Sequence, residues 1–303
     1  MISLQQDSDF KNIIKKHYPD ISNNTITFLD DGWDHYVYVV NGKVAFRFPR
    51  GPEYGNKDSI ETKFFEIFAD TSPVPVQKMK LVKDEDTQIQ YEIYDFIQGI
   101  RFTKEFAATC SEEELDAIAE ALGKFFTRLH AFPIEEARKI HIDSINGVED
   151  YADYWLGFLQ HIQKDMYQYF SSDEKKWIED IFTEYAVTVK KEPYELKVTH
   201  FDIMPEHILV DEKTHKLSGI IDFSLRISDP AYDFSYIDRY GEKFLQTVLD
   251  NYPASKTEPN FLLRQKFYAA RFGFSFLSQA MERQKEAVPK IIDQIHEYIT
   301  KHL

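Results

Sequence analysis

His200-Phe201-Asp202-Ile203-Met204-Pro205-Glu206-His207-Ile208-Leu209-Val210 leads through a charged turn into Leu217-Ser218-Gly219-Ile220-Ile221-Asp222-Phe223-Ser224. The two short apolar runs, 208–210 and 217–221, read as the arms of a β-hairpin. Asp202 follows the β-type run Leu196-Lys197-Val198-Thr199 and precedes Pro205, so it belongs on an irregular loop. Asp222 ends the second arm. Taken singly, an acid at a strand end is most simply a cap or turn former. The hairpin changes that reading, because it brings His207 and Asp222 to one mouth.

A carboxylate and a neutral imidazole facing one cleft can hold Mg²⁺ against nucleotide phosphates. Asp222 should dominate, since imidazole is softer than this hard ion prefers. Asp202, just outside the metal shell, could accept or orient a hydroxyl proton. A loose phosphoryl-transfer transition state needs that nucleophile positioned more than ionised.

Upstream, Phe10, Ile13 and Ile14 mark an amphipathic helix over 8–17. The period then shortens to that of strands at 25–29, 36–40 and 44–49, with Asn41-Gly42 a type I′ hairpin signal. A helix over 59–68, capped near Asp58 or Ser59, stops before Pro73 and Pro75. An extended segment, 88–97, ends at Gln98-Gly99, which places a lobe boundary at about residue 97. Beyond it the pattern is mainly helical: from Ser111 through Leu129, 151–170, 173–190, 234–249 and 260–298. The expected architecture is α+β and bilobal. A sheet lobe with one helix precedes a helical lobe that carries the hairpin.

In Asp30-Asp31-Gly32-Trp33-Asp34-His35 a single glycine allows either an ordinary turn or one that covers a nucleotide. Arg47 alternates with Phe46 and Phe48, so its side chain leaves their face. It could reach phosphates and pair with Glu61 on the next helix, or lie as a surface cation. His130 reads as a capping or buried-network histidine, and the aromatic residues of 151–177 as helix packing. Cys110 reads as an incidental thiol. Asp229 and Asp233 suit turn and N-cap roles that brace the hairpin.

At 303 residues and 43% hydrophobic, the chain can bury two cores. A net charge of −15 disfavours nucleic acid and anionic membranes as partners and weakly favours a cationic substrate. One cysteine excludes an internal disulfide or a zinc cluster. Without a signal-peptide pattern or a long apolar stretch, the expectation is a cytoplasmic monomer or weak dimer.

Nearly the whole chain resembles the aminoglycoside phosphotransferase family, a group of small-molecule kinases with a protein-kinase-like fold. The resemblance rests on His200-x-Asp202-x-x-x-x-His207-Ile208-Leu209, on Gly219-x-Ile221-Asp222-Phe223 and on Asp229-Pro230-x-x-Asp233-Phe234. It implies that Asp202 is catalytic, and that Asp222 and His207 hold Mg²⁺. Arg47 and Glu61 stand at the phosphate-binding cation and its helix partner. Residues 92–99 form a hinge where backbone groups near Tyr94 and Phe96 read the purine of ATP or GTP. Residues 1–97 are then the nucleotide-binding lobe, and 98–303 the catalytic and substrate-binding lobe. The His at 207 looks like the aminoglycoside 2″- and macrolide 2′-phosphotransferase branches.

Three residues or regions depart from the pattern. Phe201 replaces a small or polar residue and narrows the site. Arg47 brings a planar fork in place of an ammonium. The acidic cluster for an amino-sugar is reduced to Asp238 and Glu242. The implied activity is phosphorylation of an aminoglycoside-like hydroxyl. The alternatives are a macrolide, suited to the aromatic helices, an unidentified metabolite alcohol, or an inactive kinase-like binding protein. Asp202, His207 and Asp222 should converge on an interlobe cleft, with Arg47 and Glu61 facing it.

Overall fold

A computed structural model describes residues 4–19, 25–31, 34–51 and 55–303. They form two compact units. Residues 1–114, 135–142 and 205–223 make the first, and 115–134, 143–204 and 224–303 the second. The hairpin thus belongs to the first unit and the Asp202 loop to the second. Gly32 lies outside the described residues.

The first unit opens with α1 (Leu4–His17), then β1 (Ile26–Asp31), β2 (His35–Val40) and β3 (Val44–Pro49), followed by α2 (Gly55–Phe68), β4 (Lys80–Lys83) and β5 (Gln90–Asp95). The sheet is five-stranded in the order β1-β2-β3-β5-β4, and every adjacent pair is antiparallel. Asn41 and Gly42 take φ of 52° and 64°, as a type I′ turn demands, and the Lys43 amide closes it on the Val40 carbonyl. Phe10, Ile13 and Ile14 of α1 are buried in a cluster with Tyr36, Tyr38, Phe46, Phe48 and Tyr91. The Phe10 and Phe48 rings stack with centroids 4.2 Å apart.

Alternation along β3 sends Arg47 to the opposite face, where its cross-strand partner is Glu92. The helix expected to start at Asp58 or Ser59 begins at Gly55. Asp58 is not its cap but pairs with His35 in the interior. The short strand β6 (Ile100–Arg101) pairs with β8 (Ile208–Val210), which pairs in turn with β9 (Leu217–Ile220), forming a second sheet around the predicted hairpin. Asp222 lies two residues past the end of β9.

After α3 (Lys104–Ala107), α4 (Glu112–His130) starts at a capping box. The Glu114 amide donates to Ser111 Oγ, and the Ser111 amide to Glu114 Oε2. The short α5 (Ile134–Lys139) follows. In the second unit, α6 (Val148–Asp165) packs on α7 (Ser172–Lys191). The short strand β7 (Lys197–Thr199) pairs antiparallel with β10 (Arg226–Ser228).

The helix expected over 234–249 is replaced by two 3-10 turns, 230–234 and 237–240, and by α8 (Glu242–Asp250), because Gly241 turns the chain at φ 109°. The 260–298 helix divides at Gln284 into α9 (Phe261–Arg283) and α10 (Val288–His302). As expected, the aromatic residues of α6 and α7 pack against α9: Phe267 stacks on Tyr185 at 3.9 Å and meets Trp155 edge-on at 5.6 Å. No helix among the described residues is long and apolar enough to cross a membrane.

Gly123 is where α4 touches α8. A Cβ there would overlap the Val248 carbonyl oxygen and lie 2.6 Å from Asn251 Cβ. Alanine improves helix propensity by roughly 1 kcal/mol, but the neighbour it strikes is backbone. Gly123→Ala should therefore destabilise the fold by about 1–3 kcal/mol in urea unfolding. An unchanged or raised midpoint would show that the α4–α8 contact is loose.

Candidate functional site

Two of the residues singled out from the sequence meet beneath the first unit's sheet. Arg47 Nη1 donates to Glu61 Oε2 and to Glu92 Oε2, each at 2.7 Å, with all three side chains buried. Thr62 Oγ1 approaches the other Glu92 oxygen at 3.5 Å, and the buried His35–Asp58 pair lies alongside at 2.9 Å. Two carboxylates on one guanidinium leave an excess of negative charge in a dry place. Burial accordingly pushes the Glu92 carboxyl up to about 8 against the pull of Arg47, with Glu61 and Asp58 adding to the rise. Glu61 and Glu92 in turn hold the Arg47 guanidinium charged despite its burial.

A polar thread joins this cluster to Asp222. The hydroxyl of buried Tyr94, which feels the Arg47 charge, is hydrogen-bonded by Gln77. Gln77 Oε1 accepts the Asp222 amide at 3.1 Å. Burial raises the Tyr94 phenol to about 12, so it stays a neutral hydroxyl. The Ile221 amide donates to the His207 carbonyl at 3.0 Å, pinning the hairpin's mouth.

There His207 Nε2 stands 3.2 Å from Asp222 Oδ2. The Asp222 carboxylate is 58% exposed, and its backbone is left-handed at φ 61°. An outward carboxylate with an imidazole at its side is a donor set that fits Mg²⁺, with water or phosphate oxygens supplying the remaining ligands. The Phe96 amide donates to the Lys43 carbonyl at 2.7 Å.

In the second unit the Asp202 loop hangs on one buried acid. Asp233 accepts the His200 amide on Oδ2 and the Phe201 amide on Oδ1, both at 2.8 Å. His130 Nε2 lies 3.0 Å from the same Oδ2, and its Nδ1 lies 2.9 Å from the Tyr252 hydroxyl. Burial raises the Tyr252 phenol, so it acts as a donor. His130 thus bridges Tyr252 and Asp233 in the interior, which is the buried-network role expected of it.

Asp229, four residues earlier, is buried against Arg264. It also accepts the Ala231 amide at 2.9 Å and the Tyr268 hydroxyl at 3.0 Å. Asp233 braces the loop, and Asp229 ties its turn to α9. Phe201 takes φ 67°, and the Asp202 amide donates to His200 Nδ1 at 3.2 Å. A left-handed, β-carbon-bearing residue costs on the order of 1–3 kcal/mol and is held only where its surroundings compel it.

Phe201 also lines a cavity of about 650 Å³ wholly within this unit, together with Trp155, Arg226, Tyr232 and Arg271. Its ring stacks on Tyr232 at 4.1 Å and 9°. Neither Asp238 nor Glu242 is among the lining residues. Asp238 accepts the Tyr298 hydroxyl at 3.0 Å and pairs with Arg239. Asp233, Gln77, Glu92 and Arg271 were not singled out as site residues. Only the cross-strand position of Glu92 opposite Arg47 left a trace in the alternation of its strand.

Glu92 has a measurable pH signature. Its folded-state pKa is raised, so its contribution to stability is complete below the ordinary carboxylate range and is lost as pH climbs through about 8. The stability of the wild type relative to Glu92→Gln should therefore fall between pH 5 and 8, by about 1–3 kcal/mol. Urea unfolding of both proteins at several pH values checks this. A difference that does not change with pH would mean Glu92 ionises as freely as in the unfolded chain.

Solved structures share the architecture. The GDP complex of wild-type aminoglycoside 2′-phosphotransferase-IIIa aligns with a TM-score of 0.81 at 21% identity, covering 97% of this chain and 99% of that one. The GDP and kanamycin complex of APH(2″)-IIIa aligns at 0.80, again with 21% identity and the same coverage. A macrolide 2′-phosphotransferase from Brachybacterium faecium, solved as the apoenzyme, aligns at 0.70 with 16% identity, covering 94% of this chain and 95% of that one. At these identities the likeness is one of fold. The sequence itself is more specific: residues 25–261 match the model of the phosphotransferase enzyme family, and the chain belongs to that family.

Proposed function

We propose that the protein is a Mg²⁺-dependent kinase that moves the γ-phosphate of ATP or GTP to a hydroxyl of a small molecule. The observation that carries this reading is the outward Asp222 carboxylate beside His207, held in a left-handed backbone at the hairpin's mouth. In a member of a phosphotransferase family such a group is suited to a cation that accompanies nucleotide phosphates.

Residues 1–97 serve as the nucleotide-binding lobe and 98–303 as the catalytic and substrate-binding lobe. Asp222, with His207, holds Mg²⁺, which when bound neutralises charge on the phosphates. Arg47 is the candidate cation of the nucleotide lobe, held in place by Glu61 and Glu92, which offset its charge. Gly32 covers the nucleotide, and the backbone near Tyr94 and Phe96 meets the purine. Asp202 orients the acceptor hydroxyl. The acceptor oxygen bonds to the γ-phosphorus as the bond from that phosphorus to the β–γ bridging oxygen breaks. The nucleoside diphosphate leaves, and the hydroxyl proton passes to Asp202.

An aminoglycoside acceptor is supported by the kanamycin bound to a protein of the same fold and by the chain's net charge of −15. A metabolite alcohol is favoured by a different observation. Asp238, one of the two acids that suited an amino-sugar, is engaged by Tyr298 and Arg239, while aromatic rings and two arginines line the cavity.

Nucleotide consumption with both ATP and GTP, screened over hydroxyl compounds that include aminoglycosides and macrolides, tests the reaction. Asp202→Asn should lower kcat by roughly 100-fold or more while Mg²⁺-nucleotide still binds in calorimetry. Asp222→Ala should lose that binding as well. If the wild type binds no Mg²⁺-nucleotide, the kinase reading fails and the inactive-scaffold alternative takes its place.

A further inference from the structure

Arg271 and Trp155 line the cavity that Phe201 borders, and both carry buried hydrogen-bond donors with no acceptor among the described residues. Arg271, 3% exposed, anchors Nη1 on Ser275 Oγ at 3.1 Å, while its Nε and Nη2 are buried and unpartnered. Those two nitrogens form the side-on edge of a guanidinium, whose parallel N–H bonds match the two oxygens of a carboxylate. Trp155, 4% exposed, adds a third unpartnered donor at Nε1, and its ring lies 4.9 Å from the Arg271 carbon. Leaving a buried donor unpaired costs about 1–3 kcal/mol, more when it is charged.

Aromatic faces hold the cation in place. Arg271 lies over Tyr232 at 4.4 Å, Tyr232 stacks on Phe201, and Arg226 lies over Phe201 at 4.8 Å. The cavity's acids, Asp143 and Asp150, are exposed and therefore water-screened at its rim. Its interior thus offers donors and aromatic walls. The complement is a group that only accepts hydrogen bonds and carries negative charge, attached to a partly apolar body.

We propose that the acceptor is a hydroxy acid whose carboxylate binds the Nε–Nη2 edge of Arg271 within the aromatic wall of Phe201, Tyr232 and Trp155. Arg271 is then the residue that selects the substrate. The inference rests on the kinase reading for the fate of the hydroxyl, but not for the binding of the carboxylate.

Calorimetry on the whole chain separates the two. A panel of aromatic hydroxy acids, with 3-phenyllactate as the first probe, is titrated beside the matching methyl esters and kanamycin. Acids should bind and esters should not. Arg271→Lys, which keeps the charge but loses the planar edge, and Arg271→Met should each weaken the acid by about 10- to 100-fold. The thermal midpoint of Arg271→Lys shows that the fold is kept.

Esters binding as tightly as acids, kanamycin binding in preference, no acid binding at all, or an unchanged affinity in a folded Arg271→Lys would each overturn the proposal. An acid that binds through Arg271 yet supports no nucleotide consumption would sustain the inference and count against the kinase reading.

Discussion

Two backbone amides, those of His200 and Phe201, donate to the single buried carboxylate of Asp233, and the second unit's chemistry is organised around that contact. Consecutive amides can converge on one acceptor only if the chain turns sharply, and Phe201 at φ 67° is the residue that turns. The same turn puts the Phe201 ring flat on Tyr232, one residue before Asp233. It also places the Asp202 amide on His200 Nδ1. Asp233 holds its geometry because His130, itself anchored on Tyr252, supplies the remaining hydrogen bond. A charge-assisted acceptor with three donors is strong enough to offset a left-handed phenylalanine.

The 229–234 turn ties this loop to α9. Asp229 faces Arg264 and Tyr268, Tyr232 faces Arg271, and Asp233 faces the 200–201 backbone. Within six residues the chain alternates between holding the helix and holding the loop. The sequence reading had Asp229 and Asp233 brace the hairpin; Asp229 does cap its own turn, but the two acids hold α9 and the 200–201 backbone instead. Their partners lie some thirty residues away, at Arg264 and at His200 and Phe201, and no local pattern names them.

Periodicity made legible whatever depends on neighbours in the chain. The type I′ turn, the departure of Arg47 from the face of Phe46 and Phe48 and the capping box at Ser111 follow from spacing of four residues or fewer, and the hairpin from two apolar runs six residues apart. Spacing could not reveal that Gln77 holds the Asp222 amide across 145 residues, nor that Asp238 is engaged by Tyr298. The short strand β4, with a lysine at each end, was too polar to read as extended. Gly241 gave no warning that it would divide a helix, since an apolar period resumes directly after it. Arg271 was hidden for another reason: on a long helix with several basic residues, only the absence of a carboxylate partner sets it apart.

A larger residue inside the motif, read from sequence as a narrowing of the site, serves in the structure as a wall between two guanidinium groups. Its ring and its backbone are under separate constraints: the ring stacks on Tyr232, and the amide answers to Asp233. A substitution at this position can change the wall without disturbing the loop only if the new residue also accepts a left-handed backbone. Glycine does so most easily but removes the wall altogether, exposing Tyr232 and the approach to Arg271. A change at Phe201 therefore carries a conformational cost in the residue immediately before Asp202, so the cavity wall and the placement of Asp202 cannot be tuned independently there.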